Sequence, residues 1–243
     1  MKNDTLYIVM PAYNEEDNIQ NVIAQWHPVV NRIGEGSRLV IFNDGSKDRT
    51  YEKMKALESQ YPCLIAETKP NSGHGSTCLY AYRYALEHGA GYIFQTDSDG
   101  QTNPDEFWSF WEKRELYDFQ TGYRKFREDG YSRVVVTKVL RMVIRLIFGE
   151  NIIDANTPFR LMRSEKLKTV LEFIPDDFFL SNVLVSTIAV KRKERCAWHP
   201  ITFKPRQAGN NSINLRKIIK IGLKSVSDFR KINRALKYKN KDS

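Results

Sequence analysis

Cysteine is scarce: Cys63, Cys78 and Cys196 are the only three in 243 residues, and no two of them stand in a Cys-x-x-Cys spacing. Such a scatter excludes a disulfide framework, argues against a structural zinc site, and points to a reducing compartment in which each thiol is a small apolar residue. No apolar run approaches the length that spans a bilayer. The apolar stretch near the start, within MKNDTLYIVMPAYNEE, is too short for a signal peptide and runs straight into polar residues. Gly/Ser linkers and internal repeats are absent too, so one large domain, or one domain with an appendage, is expected. Acids are the minority charge, 29 against 38 Lys and Arg, and the formal net charge of +9 calls for an acidic partner: a phosphorylated substrate, an anionic lipid surface or nucleic acid.

What is present is an alternation of short apolar runs and amphipathic stretches. Thr5 to Met10 reads as a buried strand that Pro11 ends, followed by a helix opened at Asn14 with Ile19, Val22, Ile23, Trp26 and Val30 on one face. Arg38 to Phe42 reads as a second strand, with a turn at Asn43-Asp44-Gly45-Ser46 and a helix from Asp48. Cys63 to Glu67 is a third strand, leading through Gly73-His74-Gly75 into a helix with a small inner face at Cys78, Ala81 and Ala85. Strands at Tyr92 to Thr96, Tyr117 to Thr121 and, on an edge, His199 to Phe203 complete the pattern. This rhythm predicts an α/β fold with a mostly parallel sheet and helices on both faces, so that the strand ends converge on one edge.

Two carboxylates close the Tyr92 strand, Asp97 and Asp99. At a sheet edge, paired acids suit hard cations such as Mg²⁺ or Mn²⁺ and leave coordination places for phosphates, although the same pair also serves to cap a turn. Tyr13, Glu15, Asp44 and the Gly73 loop fall on that edge with them. The two loop glycines match neither the dinucleotide fingerprint nor the P-loop, and equally suit a tight turn into a close-packed helix. Asp154 to Arg160 reads as a loop, and Asp176-Asp177 as acids at the start of a helix over Phe178 to Val190. Val134 to Phe148 is apolar apart from a stripe of Lys138, Arg141 and Arg145, which suits burial or a membrane interface. Leu215 to Lys237 is amphipathic and basic. It suits an anionic headgroup region, or a face packed on the domain.

In their order and spacing, these motifs resemble the family 2 glycosyltransferases of the glycosyltransferase A fold, in the branch of dolichol-phosphate mannose synthase and the polyprenyl-phosphate glycosyltransferases. The residues that carry the likeness are Pro11-Ala12-Tyr13-Asn14-Glu15, Asn43-Asp44-Gly45-Ser46, Gly73-His74-Gly75, Asp97-Ser98-Asp99-Gly100-Gln101, Thr157-Pro158-Phe159-Arg160, and Pro200-Ile201 leading to Arg206-Gln207-Ala208-Gly209. The resemblance implies a catalytic domain over 1–212 and a basic amphipathic appendage over 213–243. It implies a nucleotide-sugar donor, inversion at the anomeric carbon, and Mg²⁺ or Mn²⁺. It places the nucleoside against Pro11, Tyr13, Glu15 and Asp44, with Gly73 and Asp97 also on the donor and the metal on Asp97 and Asp99. Arg206 would steady the leaving diphosphate.

Two positions depart from the family pattern. Asn43 stands where an Asp is usual, and Pro158 stands where the bacterial enzymes carry the acid assigned as base. A lipid-phosphate acceptor is already a nucleophilic anion and needs no base, whereas a glycan hydroxyl does, with Asp154 or Asp177 to supply it. The expected partners are therefore a nucleotide sugar, a lipid-phosphate or glycan acceptor and an anionic membrane surface, with the protein peripheral on the cytoplasmic face. A nucleotidyltransferase lacks support from a phosphate loop after the first strand. A basic nucleic-acid- or membrane-binding module without catalysis would explain the charge, but acids at one sheet edge repel a polyanion, so no nucleic acid is expected.

Overall fold

The structure, a computed structural model, describes residues 4–124, 131–204 and 226–237. Its frame is a seven-stranded sheet in the order β3-β2-β1-β4-β6-β5-β7. The first strands are β1 (Leu6–Ala12), β2 (Arg38–Asp44), β3 (Leu64–Lys69) and β4 (Tyr92–Thr96), all parallel. β5 (Phe119–Arg124) and β7 (Cys196–Ile201) are parallel to each other, while β6 (Phe159–Arg163) runs antiparallel to both β4 and β5. β7 lies at an edge, as the sequence suggests, and the sheet is the mixed, mostly parallel one expected.

Alternation along the strands sends side chains into two cores. Leu6, Ile8 and Met10 of β1 meet α1 (Ile19–Ile33), α2 (Thr50–Leu57) and α4 (Phe107–Trp111), where Trp26, Met54, Phe107 and Phe110 are buried. Tyr7 and Val9 face the other layer, made of α3 (His74–Glu87), α5 (Tyr131–Phe148), α6 (Ser164–Leu171) and α7 (Ser181–Lys191). A last helix, α8, spans 226–237.

Several expectations are corrected. β1 does not stop at Pro11: it pairs with β2 as far as Ala12. Proline is tolerated there because the Pro11 carbonyl, which shares the direction of its missing N–H, points past the end of the β4 ladder and accepts from Ser98 Oγ at 2.8 Å. Residues 159 and 160, expected in a loop, open β6, and α6 follows where no element was read. α1 begins at Ile19 rather than Asn14, since Asn14 has φ +54°, outside any helix. α8 buries Phe229, Ile232 and Leu236, with Phe229 against Phe148 and Phe178 and the Asn233 amide on the Ile147 carbonyl. Over its described part the tail packs its apolar face on the domain. Leu215, Ile218, Ile219 and Leu223 lie outside the described residues.

β1 connects onward to β2 on one side, and the chain then returns to β4 on the other. That reversal opens a crevice beyond the carboxyl ends of β1 and β4, where open α/β sheets take ligands.

Candidate active site

The lip of the crevice is the turn after β1. Asn14 N–H donates to Ser46 Oγ at 3.0 Å and its Oδ1 accepts from Lys47 N–H at 2.9 Å. Glu15 N–H donates to Thr50 Oγ1 at 2.8 Å. These bonds fasten the β1 turn onto the β2 turn, and the Ser98 bond to Pro11 fastens it to the β4 turn on the other side. Glu15 is buried, accepting from the Asn18 amide at 2.7 Å, while Tyr13 is exposed.

Asp44, at the end of β2, is 3% exposed and clamps the loop that enters α3. Its Oδ1 accepts from Lys69 Nζ at 2.5 Å and Ser72 N–H at 2.9 Å, and its Oδ2 accepts from Gly73 N–H at 3.0 Å. Burial pushes the carboxyl up, but Lys69, the Ser72 N–H and Thr77 outweigh it and hold Asp44 below the usual carboxylate range. A base-reading role for Asp44 has to compete with these donors. Asn43 uses both ends of its amide, donating to Thr68 Oγ1 at 2.9 Å and accepting from Ser46 N–H at 3.2 Å. An ionised Asp here could only accept, from the Thr68 hydroxyl and Ser46 N–H, so Asn43 keeps both contacts without adding a charge beside Asp44.

Two glycines are demanded by geometry. Gly45 has φ +64°, and a Cβ on it would stand 2.8 Å from the Asn71 nitrogen. A Cβ on Gly75 would fall 2.0 Å from the Phe179 carbonyl oxygen, so α3 reaches its place only because its first turn is bare. For Gly75, the close-packing alternative is the one the structure supports.

Asp97 and Asp99 follow β4 directly. Oδ1 of Asp97 accepts from Gln95 Nε2 at 3.1 Å and pairs with His74 Nε2 at 3.0 Å, and Asp99 Oδ1 accepts from Gln101 N–H at 3.1 Å. Cys78, whose sulfur is 3.8 Å from Nδ1, and Asp97 together raise the His74 imidazole well above its ordinary value. Among the described residues no three of His, Cys, Asp and Glu converge on one point. The two carboxylates nonetheless fit a hard divalent cation that draws its remaining ligands from a bound diphosphate and water.

The other expected residues stand further off. Asp154 is buried, its Oδ1 accepting from Asn156 N–H at 3.3 Å. Arg160, 1% exposed, pins the loop in front of it, donating to the carbonyls of Ala155 at 3.0 Å and Thr157 at 3.1 Å and to that of Asn182 at 2.9 Å. Asp177 is exposed at the rim, where neighbouring Asp176 accepts from Ser76 of the first turn of α3 at 2.9 Å. Arg206 lies outside the described residues. Lys204, two residues earlier, is tied to the Asp99 turn by a reciprocal pair with Gln101, at 2.8 and 2.9 Å.

With this geometry in view, the glycosyl transferase family 2 model matches residues 7–171, which include both acid-bearing turns and β6. The chain belongs to glycosyl transferase family 2. Among similar family 2 proteins is the undecaprenyl-phosphate 4-deoxy-4-formamido-L-arabinose transferase of Pectobacterium carotovorum, 24% identical over 88% of this chain and 64% of that one. The chain thus spans less than two thirds of that relative's length. Another is the UDP-N-acetylglucosamine–dolichyl-phosphate N-acetylglucosaminyltransferase of Methanococcus voltae, 25% identical over 90% of this chain and 87% of the relative. In fold, the chain resembles glucosyl-3-phosphoglycerate synthase of Mycobacterium tuberculosis, solved with Mn²⁺, UDP-glucose and phosphoglyceric acid. There the TM-score is 0.68 at 18% identity, over 95% of this chain and 80% of the other. The glycosyltransferase A architecture expected from the motifs is the one observed.

Three residues that carried no expected role also touch the candidate residues or their loops. His74 contacts Asp97, Gln95 supports it from within β4, and Arg160 holds the loop of Asp154. His74 had a signal, standing between two glycines that needed a structural reason. Gln95 had one too, as the single amide in a strand of otherwise apolar and hydroxyl residues.

Proposed function

We propose that this family 2 protein is a metal-dependent, inverting glycosyltransferase that moves a sugar from a nucleoside-diphosphate sugar to a polyprenyl-type phosphate. The observation that carries this reading is the placement of Asp97 and Asp99 at the β1/β4 crevice, beside the Tyr13–Glu15 turn and the Asp44-clamped loop into α3. A bound Mg²⁺ or Mn²⁺ would neutralise the charge developing on the leaving diphosphate, with Asp97 and Asp99 as its protein ligands. The chain's own contribution is orientation. Glu15, Tyr13 and the Asp44 loop would line the nucleoside side, and His74, held against Asp97, would bring positive charge to the diphosphate side. Inversion follows from attack by the acceptor oxygen on the face of the anomeric carbon opposite the leaving diphosphate.

The acceptor reading rests on the missing base. Pro158 carries no proton acceptor, Asp154 is buried, and Asp177 is exposed to solvent. A phosphate monoester attacks as an anion and needs none of them. A glycan hydroxyl is the alternative acceptor and would draw on Asp154 or Asp177.

A membrane surface suits such an acceptor. Among the described residues no helix is long and apolar enough to cross a membrane. The outer face of α5, however, exposes Val139, Met142 and Leu146 beside Lys138, Arg141 and Arg145, an apolar stripe flanked by cations. We therefore assign attachment to α5 rather than to α8, whose apolar side is covered. Calorimetric titration with UDP-, GDP- and dTDP-sugars, with Mn²⁺ or Mg²⁺ and then with chelator, tests the donor side. Tight, metal-dependent binding of one of them is expected, and failure to bind any of them would overturn the proposal.

A further inference from the structure

Ile93 and Gln95 of β4, and Asp97 directly after it, follow one another at two-residue spacing on the side turned towards α3 and α7. Behind Asp97 lies a buried cluster of polar groups. Tyr82 of α3 donates its hydroxyl to Asn182 Oδ1 at 2.7 Å, with Gln95 Oε1 a longer 3.4 Å away, the Asn182 amide donates to Gln95 Oε1 at 3.1 Å, and the Gln95 amide donates to Asp97 Oδ1 at 3.1 Å. Tyr82 and Gln95 are 0% exposed and Asn182 is 2% exposed. Arg160 fixes the far end through the Asn182 carbonyl at 2.9 Å.

The direction of these bonds is set by one fact of chemistry. An ionised carboxylate only accepts, so Gln95 must offer Asp97 its amide nitrogen and turn its oxygen inward. Asn182 must then present its nitrogen to Gln95 and its oxygen to Tyr82, whose hydroxyl must donate. Each amide is oriented by the next, and no member can flip without leaving a buried polar group unpaired. Gln95 and His74 both bond to Oδ1, which leaves Oδ2 of the partly exposed Asp97 as the oxygen for a bound group.

We infer that Gln95, oriented by Asn182 and Tyr82, is a positioning residue that fixes the Asp97 carboxylate for metal binding; the inference rests on the metal reading proposed above. Partners behind a metal ligand commonly change metal affinity by ten- to a hundredfold when removed. Such a residue acts on the metal-dependent part of donor binding and not on the nucleoside part.

The test uses the full chain and whichever of UDP, GDP and dTDP the parent binds most tightly, titrated by calorimetry with and without Mn²⁺. Gln95→Met, similar in shape but unable to donate, is expected to lose about tenfold in Mn²⁺-dependent affinity while metal-free affinity stays at the parental value. Tyr82→Phe, which takes one hydroxyl away from both Asn182 and Gln95, is expected to lose at least about twofold in the same quantity, and it decides the matter alone if Gln95→Met does not fold by circular dichroism. Parental Mn²⁺ dependence in the folded variants, or an equal fall with and without Mn²⁺, overturns the inference in favour of a merely structural role. A parent whose nucleotide binding ignores Mn²⁺ refutes the metal reading itself, before any substitution is made.

Discussion

Asp44→Ala removes the clamp between β2 and the loop into α3, and its cost can be worked from the contacts. The substitution leaves the N–H groups of Ser72 and Gly73 without their acceptor, and leaves Lys69, whose side chain is only 12% exposed, with neutral partners alone: Ser72 Oγ at 2.6 Å and the Pro70 carbonyl at 3.1 Å. Breaking a buried pair from one side costs roughly 3–5 kcal/mol. The surviving neutral bonds to Lys69 place this case near the lower end, about 3 kcal/mol. In a domain of this size each kcal/mol moves the midpoint by about 2–4 °C, so a fall of about 6–12 °C is expected in a thermal melt followed by circular dichroism. The pH dependence carries the sign. The folded-state pKa of Asp44 is depressed, so the contribution is complete above the unfolded value of about 3.9 and disappears as pH falls from there through the folded value. The gap between parent and variant should therefore be constant near neutrality and close in acid. A variant melting within about 2 °C of the parent, or a gap that widens in acid, refutes the clamp.

Other substitutions probe separate parts of the account. Gly75→Ala drives a methyl into the Phe179 carbonyl, and a loss of more than about 3 kcal/mol is expected in urea unfolding, because backbone cannot yield as a side chain does; parental stability would contradict the close approach. Phe229→Ala opens a hole between Phe148 and Phe178, with an expected cost of about 3–5 kcal/mol; a neutral result would mean that α8 does not pack on the domain. Asp118, 3% exposed, is pushed up by burial and pulled further down by Arg195, 2.7 Å away. Asp118→Asn should therefore lower stability at neutral pH and lose that difference as pH falls below about 4, and a difference that persists in acid contradicts the pairing. Arg141→Glu with Arg145→Glu should release the protein from anionic vesicles at low salt in co-sedimentation, by about fivefold or more per charge; unchanged binding would remove α5 from the membrane proposal.

The parts of the fold readable from sequence are those in which one interaction dominates. β1, β2 and β4 are short apolar runs because both faces of an inner strand are covered, and their length and the turn residues that bound them mark them as strands. β6 was not readable. It has two arginines in five residues, and it is a strand only because β4 and β5 flank it and α7 supplies the Asn182 carbonyl and the Ser186 hydroxyl for Arg160. Pro11 misled for a related reason, since its missing donor matters only where a neighbouring strand would have asked for it. At the site, Asp97 and Asp99 were legible as paired acids after an apolar run. The clamp that Asp44 makes and the bonds of Gln95 were not, because they depend on N–H groups and amides brought from distant turns. The tail helix shows the limit of amphipathicity: the pattern says that a face is covered, and tertiary structure says by what.

Metal-dependent sugar transfer to a lipid phosphate through Asp97 and Asp99, as proposed, is tested by transfer of labelled sugar into polyprenyl phosphate in detergent or vesicles, by the parent chain and by Asp99→Asn at matched folded concentration, with Mn²⁺ and with chelator. Labelled lipid is expected from the parent with Mn²⁺ only, and none above background from Asp99→Asn, whose thermal midpoint stays at the parental value. Equal transfer by the variant, or undiminished transfer by the parent in chelator, would contradict the proposal.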